Sequence, residues 1–409
     1  MKKSPLMLAA SALVLMSAMP AVAAETEDNA SDIFAKGKAG LDFRYRLENV
    51  DQTGFSKQAT ASTLLTKLHY ETASYKGFSG FLEATNITVL GEATYNSTVN
   101  GNTTRPVVAD PSGTELNQAY LQYKGDQVTL KFGRQGVNLD DQRFIGTVAW
   151  RQNDQTYDSA VAILTPVKNL TAIYGYVWNV NRVFGDDHPL GNLSTNAHLI
   201  NVSYSGFDFA KITAYGYLLD LNDVPVYGLS SATYGVRVAG SHKAGSVKVG
   251  YQAEYATQSD YKDNPKNFSA DFWHLGASAG ASGVTASLDY ELLGADNGVG
   301  FQTPLATLHK FNGWADKFLS TPATGLKDVY GSVAYKVPGE GALSGLLVKA
   351  VYHDFSADVG GAHYGHEWDF LASKKLTKSV SALVKTAFYS ADSFATDTTK
   401  FWVMLTAKF

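Results

Sequence analysis

The feature that most limits how this chain can fold is its alternation. Leu41, Phe43, Tyr45 and Leu47 interleave with Asp42, Arg44, Arg46 and Glu48, and Val284, Ala286, Leu288, Tyr290 and Leu292 with Thr285, Ser287, Asp289 and Glu291. The same period returns around 64–71, 128–132 and 247–255. Successive side chains of a strand point to opposite sides, so a period of two builds sheets with two unlike faces. Beyond the first two dozen residues no apolar run is long enough for a membrane helix. Two environments remain: a soluble β protein, or a transmembrane barrel whose apolar face meets lipid and whose polar face lines water. The chain has no cysteine, so neither a disulfide nor a thiolate metal site is available to it.

The alternating segments predict about eighteen strands. They run near 37–50, 60–75, 78–90, 115–124, 127–134, 157–165, 170–180, 197–205 and 209–219. They continue near 231–242, 246–258, 268–280, 283–293, 327–337, 346–355, 363–373, 379–390 and 400–409. Tight turns such as Lys76-Gly77, Gly125-Asp126, Lys243-Ala244-Gly245 and Ala281-Ser282 alternate with long connections near 91–114, 135–156, 181–196 and 294–326. That sorting has no reason to exist in a soluble sandwich. It predicts an all-β protein: a transmembrane antiparallel up-and-down β-barrel with short periplasmic turns and long extracellular loops. The last strand places Phe401, Val403, Leu405, Ala407 and Phe409 on one face, and its terminal Phe is similar to the insertion signal of bacterial outer-membrane barrels. Tyr75, Phe78, Tyr123, Tyr204, Phe207, Phe388 and Tyr389 are candidates for the aromatic girdles at the two interfaces.

The amino terminus reads as an address. Lys2 and Lys3, the apolar run Leu6 to Met16 and the small residues Ala21 to Ala24 make a secretory signal over 1–24. Residues 25–36 are then a short periplasmic segment, with one barrel domain from 37 to 409. The expected location is the outer membrane of a Gram-negative bacterium. The expected partners are outer-membrane lipid and lipopolysaccharide, the barrel-assembly machinery during biogenesis, and a small hydrophilic solute or saccharide; no nucleic acid is expected.

One stretch breaks the alternation. Gly133 to Asp158 holds Arg134, Arg143 and Arg151 among Asp140, Asp141, Asp154 and Asp158, around the apolar run Phe144 to Trp150. A loop fully in water gains nothing from gathering Phe, Ile, Val and Trp, each of which is stabilised by burial. Either the segment folds into the barrel and forms a constriction, its arginines and aspartates pairing with one another, or it packs outward on its neighbours or makes another short strand. On the wall, Arg44, Arg46, Lys67, Lys131 and Arg237 fall on the polar face, as do Lys248, Lys336, Lys349, Lys385 and Lys400. Asp42, Glu48, Glu71, Glu83, Asp158, Glu254, Asp289, Glu291, Glu367 and Asp369 balance them, which argues against one field along the whole lumen. In the loop 294–326, Thr303-Pro304 followed by Leu305, Leu308, Phe311, Trp314, Phe318 and Leu319 predicts a short amphipathic helix across the mouth, with an irregular aromatic loop as the alternative.

Catalytic chemistry is sparse. His363, His366 and Glu367, with His353 and Asp354 nearby, approach a metal-ligand set but lack the HExxH order. A barrel phospholipase needs Ser and His in register, and His198 and Ser203 do not share a face. No phosphate or dinucleotide fingerprint is present. The expectation is a protein that is not an enzyme, with no catalytic residue, cofactor or metal.

Gly133-Arg134-Gln135, Asp141-Gln142-Arg143-Phe144-Ile145-Gly146 and Trp150 through Asp158 resemble outer-membrane porin-like proteins of the alginate-export-domain family. Phe301 to Leu305 and Asn312 to Phe318 resemble a second signature of that group. The resemblance implies a monomeric barrel that passes a polysaccharide or its fragments, with Arg134, Asp141, Arg143, Arg151 and Asp158 at the constriction. The functional expectation is a porin-type channel for small hydrophilic solutes or saccharide chains. The alternative is a surface barrel acting as an adhesin or structural protein.

Overall fold

The structure, a computed structural model, describes residues 32–224 and 226–409; the expected signal at 1–24 and residues 25–31 lie outside the described residues. A single turn of helix, α1 (Asp32–Ala35), leads into the first strands: β1 (Lys38–Gln52), β2 (Ala59–Glu71), β3 (Phe78–Val89), β4 (Gly113–Lys124), β5 (Val128–Gln135) and β6 (Thr156–Leu164). Next come β7 (Leu170–Asn181), β8 (Asn192–Tyr204), β9 (Lys211–Leu219), β10 (Ser231–Ala244), β11 (Val247–Asp260), β12 (Ser269–Ala281) and β13 (Val284–Leu293). The two-residue strands β14 (Ala295–Asp296) and β15 (Val299–Gly300) form a small ladder inside a loop. The set ends with β16 (Leu326–Lys336), β17 (Leu347–Ser356), β18 (His363–Lys375), β19 (Val380–Ala391) and β20 (Thr398–Lys408).

Eighteen of these strands make one sheet. Each pairs antiparallel with its chain neighbours, and β1 pairs with both β2 and β20, so the sheet closes. Closure satisfies every ladder N–H and C=O, the condition hydrocarbon imposes on a spanning sheet. The two faces are inverted relative to a water-soluble fold. Leu82, Leu121 and Leu288 are 54%, 68% and 65% exposed on the outside, whereas Arg46 and Glu48 are wholly buried inside.

One end of the barrel carries the turns 125–127, 165–169, 245–246 and 282–283, together with the start of β1 and the end of β20, where Leu41 and Phe409 exchange backbone hydrogen bonds. Lys76-Gly77 and Ser282-Gly283 have positive φ at both central residues, the mirror-image turn whose twist matches that of the strands it joins. The segment 337–346 is longer than the other connections at that end. The opposite end carries the loops, of which 90–112, 136–155 and 294–325 are the longest.

Two expectations are corrected. The run 305–319 is not a helix: only Leu308–Lys310 forms a short 3-10 turn. Asn312, Gly313 and Asp316 adopt positive φ, which ends any helical path through Trp314 and Phe318. Tyr389 belongs to no girdle. It points inward, 2% exposed, packs near Phe318 and donates its hydroxyl to the carbonyls of Tyr364 and Phe394. Phe78, Tyr204, Phe207 and Phe388 do stand exposed on the outside.

Candidate functional site

The loop 136–155 leaves β5, enters the barrel and makes a circuit of its inner wall. Asp140 meets β8 and β9, where Asn201 donates to its carboxylate at 2.6 Å and Lys211 lies at 3.5 Å. Asp141 is ion-paired with Arg237 of β10, which also contacts Glu254 of β11 at 3.2 Å. Burial works to raise the Asp141 carboxyl, but Arg237 outweighs it and holds the group below the usual carboxylate range. Arg143 reaches Glu291 of β13 at 2.7 Å and donates a further hydrogen bond to Asn312 at 3.1 Å. Phe144 then enters an aromatic pocket of Tyr215, Tyr217, Phe272 and Phe301, with centroids 5.3–5.9 Å away.

The loop next crosses to the other side. Gly146 donates to the Leu305 carbonyl at 2.9 Å, and Thr307 donates back to that of Gln142 at 3.0 Å, so the loop 294–325 lies against it as a second inward segment. Trp150 stacks on His309 with centroids 4.4 Å apart. Arg151 bridges Glu48 of β1 at 3.2 Å and Asp316 of the second loop at 3.1 Å. Burial opposes the Arg151 charge, but Glu48, Asp110 and Asp316 more than offset it and raise its proton affinity. Arg44 donates to the backbone carbonyls of Ala149 and Arg151, and Arg46 to that of Trp150. Asp154 closes the circuit on Lys67 of β2.

A third loop takes part. Asp110 of the segment 90–112, wholly buried, pairs with Arg46 at 3.2 Å and accepts the Gln152 N–H at 2.9 Å. Behind Trp150, Lys385 of β19 is boxed by the rings of Trp150, Trp314 and Trp402, at 4.3, 3.8 and 5.3 Å. Its ammonium donates to His309 Nε2 at 2.7 Å, and His309 Nδ1 donates to Asp316 at 2.6 Å. Burial drives the His309 imidazole well below its ordinary value, against the pull of Asp316, so the ring is neutral and can accept from Lys385.

In the structure the loop runs along the inner wall, and Arg44, Arg46, Lys67, Lys131 and Arg237 lie on the inner face of their strands. The pairing differs from the expectation. Arg143, Arg151, Asp140, Asp141 and Asp154 do not pair with one another; each finds its counter-charge on the wall or on another loop. Arg134 and Asp158 do pair, at 2.8 Å, but outside the lumen. Arg134 shares a face with Phe132, which is 51% exposed on the outer surface, and Asp158 lies opposite it in register. Asn179 and Asn181 of β7 complete that outer cluster.

Asp110, His309 and Asp316 were not singled out from the sequence, whereas Glu48 was expected only as one of the acidic residues of the polar face. For Asp110 and Asp316 no local pattern could have done so, because their partners lie on remote segments. The histidines considered for a metal do not converge. His363 is exposed, at 3.2 Å from Asp354 and paired also with Asp392. His366 faces outward with Trp368, and Glu367 faces inward. Asp141, Glu254 and His274 bring one ligand atom each within 4.8 Å of the others, yet Arg237 already supplies positive charge to both carboxylates.

Residues 36–175 match the family model described as "Alginate export". No curated protein matches the chain. Among solved structures, OccAB4 of Acinetobacter baumannii is 15% identical with a TM-score of 0.70, over 91% of this chain and 98% of that one. OpdK of Pseudomonas aeruginosa, solved with vanillate, is 14% identical with a TM-score of 0.71, over 92% and 99%. OccAB2 of A. baumannii is 16% identical with a TM-score of 0.70, over 92% and 99%. The chain thus carries the alginate-export signature over residues 36–175, on a closed eighteen-stranded barrel whose fold is similar to those of OpdK and OccAB4.

Proposed function

We propose that this protein is an outer-membrane channel of porin type, through which small hydrophilic solutes or short saccharide chains diffuse. Its narrow section forms where the loops 136–155 and 294–325 meet inside the barrel. One observation carries the reading: the loop 136–155 is tied to the wall through Arg143–Glu291 and Arg151–Glu48 and the loop 294–325 through Asp316–Lys400, all inside a barrel whose exterior is apolar. These contact ion pairs pin the inward loop to the wall, so that the loop itself narrows the passage. Crowding of the mid-barrel by three loops supports small solutes over a long polymer. The vanillate found with OpdK supports the same size class, a small carboxylate. The barrel acts without catalysis, sits among outer-membrane lipid and lipopolysaccharide, and reaches that membrane through the barrel-assembly machinery.

The test is single-channel recording of the purified protein in a planar bilayer. Discrete conductance steps, with proteoliposome swelling faster in small sugars and small acids than in oligosaccharides, are the expected result. A folded, heat-modifiable protein that gives no steps is a plugged barrel, and the channel reading then fails.

A further inference from the structure

At the loop end a cavity of about 240 Å³ opens where the loops 136–155 and 294–325 meet. Among the described residues its charged lining is one-sided: Arg151, Arg182, Lys317 and Lys400 stand against a single carboxylate, Asp316. That carboxylate is already taken, by Arg151 at 3.1 Å, Lys400 at 2.6 Å and His309 at 2.6 Å. Arg182, just beyond β7, and Lys317 have neither an ion pair nor a side-chain hydrogen bond among the described residues. The Arg182 guanidinium rests instead over the Phe184 ring, 4.8 Å from its centroid, which leaves its N–H donors without acceptors. Burial works against both charges and lowers the proton affinity of each.

The remaining lining is largely apolar. Phe55, Val107 and Leu319 come from three different loops, converge on this cavity and stay exposed. On the barrel wall such side chains are covered by lipid; at the loop end they meet water, and covering them is favourable. The cavity therefore sets two cations without counter-charge beside an apolar surface. A sugar would leave the apolar wall uncovered, and an inorganic anion would do the same; a molecule with both parts satisfies both. We propose that this cavity binds an organic anion with an apolar body, its carboxylate or sulfonate head held by Arg182 and Lys317 and its hydrocarbon part laid against Phe55, Phe184 and Leu319. The planar guanidinium matches the forked oxygens of such a head, and bonds between ionised partners are stronger than neutral ones. The role of the site, capture of a solute ahead of the narrow section, rests on the reading of the barrel as a channel; binding itself does not.

The experiment is isothermal titration at pH 7 of benzoate, benzenesulfonate, benzamide and acetate into the full chain in non-ionic detergent, with each probe also titrated into detergent alone. Both aromatic anions are expected to saturate one site per chain, with Kd on the order of 10⁻⁴–10⁻³ M for ligands of this size. Benzamide keeps the ring without the charge, and acetate the charge without the ring; each binds about tenfold more weakly or worse. Arg182→Gln and Lys317→Met each weaken benzoate binding roughly tenfold, as loss of one charge-assisted hydrogen bond does, while Lys262→Met on the loop 261–268 leaves it unchanged. Neither Arg182 nor Lys317 has an ion pair to lose, so both variants assemble, which heat-modifiable migration checks. Absence of saturable binding by the aromatic anions, benzamide or acetate binding as tightly as benzoate, or benzoate binding unchanged in the Arg182→Gln/Lys317→Met double variant overturns the proposal. Those results leave conductance steps untouched, whereas a barrel that binds benzoate and gives no steps keeps the site and loses the channel reading.

Discussion

The segment Gly133–Asp158 places its arginines in two different worlds. Arg134 sits with Asp158 on the outer face near the loop end, its side chain 30% exposed; Arg143 sits with Glu291 inside the barrel, its side chain 2% exposed. The two arginines are nine positions apart in the chain, and both pairs are nearly equal in length. What differs is the medium. The outer pair shares its charge with the asparagines of β7 and with solvent, where an ion pair contributes little. The inner pair has exchanged water for Thr303 and Asn312, so neither charge can be removed without stranding the other. Charge in this protein is therefore structural or incidental according to which side of the sheet it occupies.

Four outcomes sharpen or break that contrast, in order of size. Deleting residues 140–152 takes away the inward circuit, and single-channel conductance rises several-fold in a barrel that still assembles; unchanged conductance means that the passage is narrowed elsewhere. Arg143→Ala leaves Glu291 buried and unpaired. Denaturant titration then reads a loss of about 3–5 kcal/mol, the usual cost of breaking a buried pair from one side. The reversal potential of the same variant moves toward cation preference, because a fixed positive charge has gone and a negative one remains.

How much of this was legible beforehand follows from which forces are local. The strands were legible because lipid and water write a period of two into each segment on its own, as in Leu64 to Tyr70. The loop stood out as an apolar run, Phe144 to Trp150, but that run alone left an inward path and an outward packing both open. The outward placement of Arg134 was also available: it continues the face of Leu130 and Phe132, and the charge-rich motif around it obscured that parity. The partners were not legible. Asp110 and Asp316 meet Arg46 and Arg151 only after three loops have folded into one space. Helical spacing in 305–319 misled because those aromatics pack in several directions, with Asn312, Gly313 and Asp316 turning the chain.

The third outcome concerns pH. Lys317 lines the vestibule above Arg151 and Asp316, where burial, with Lys400 adding to it, brings its ammonium down to about 8. Below that value the amine is charged and favours anions; above it the charge is lost. Anion preference in reversal-potential recordings therefore declines between about pH 7 and 9, and Lys317→Met abolishes the step. A pH-independent preference over that range contradicts the placement of Lys317. The smallest effect belongs to the outer pair: Arg134→Ala costs at most about 1 kcal/mol, read by denaturant titration, and leaves conductance unchanged. A conductance change in that variant erases the contrast between the two pairs.

The most direct measurement uses the absence of native cysteine. A single thiol introduced as Ala149→Cys stands on the inward loop beside Arg44, and one introduced as Arg134→Cys stands on the outer face. Each is reacted with a bulky, water-soluble methanethiosulfonate reagent during single-channel recording, with the extent of labelling checked by mass spectrometry. The account predicts a stepwise fall in conductance for Ala149→Cys and none for Arg134→Cys. A labelled Ala149→Cys channel that conducts as before, or a block at Arg134→Cys, contradicts it.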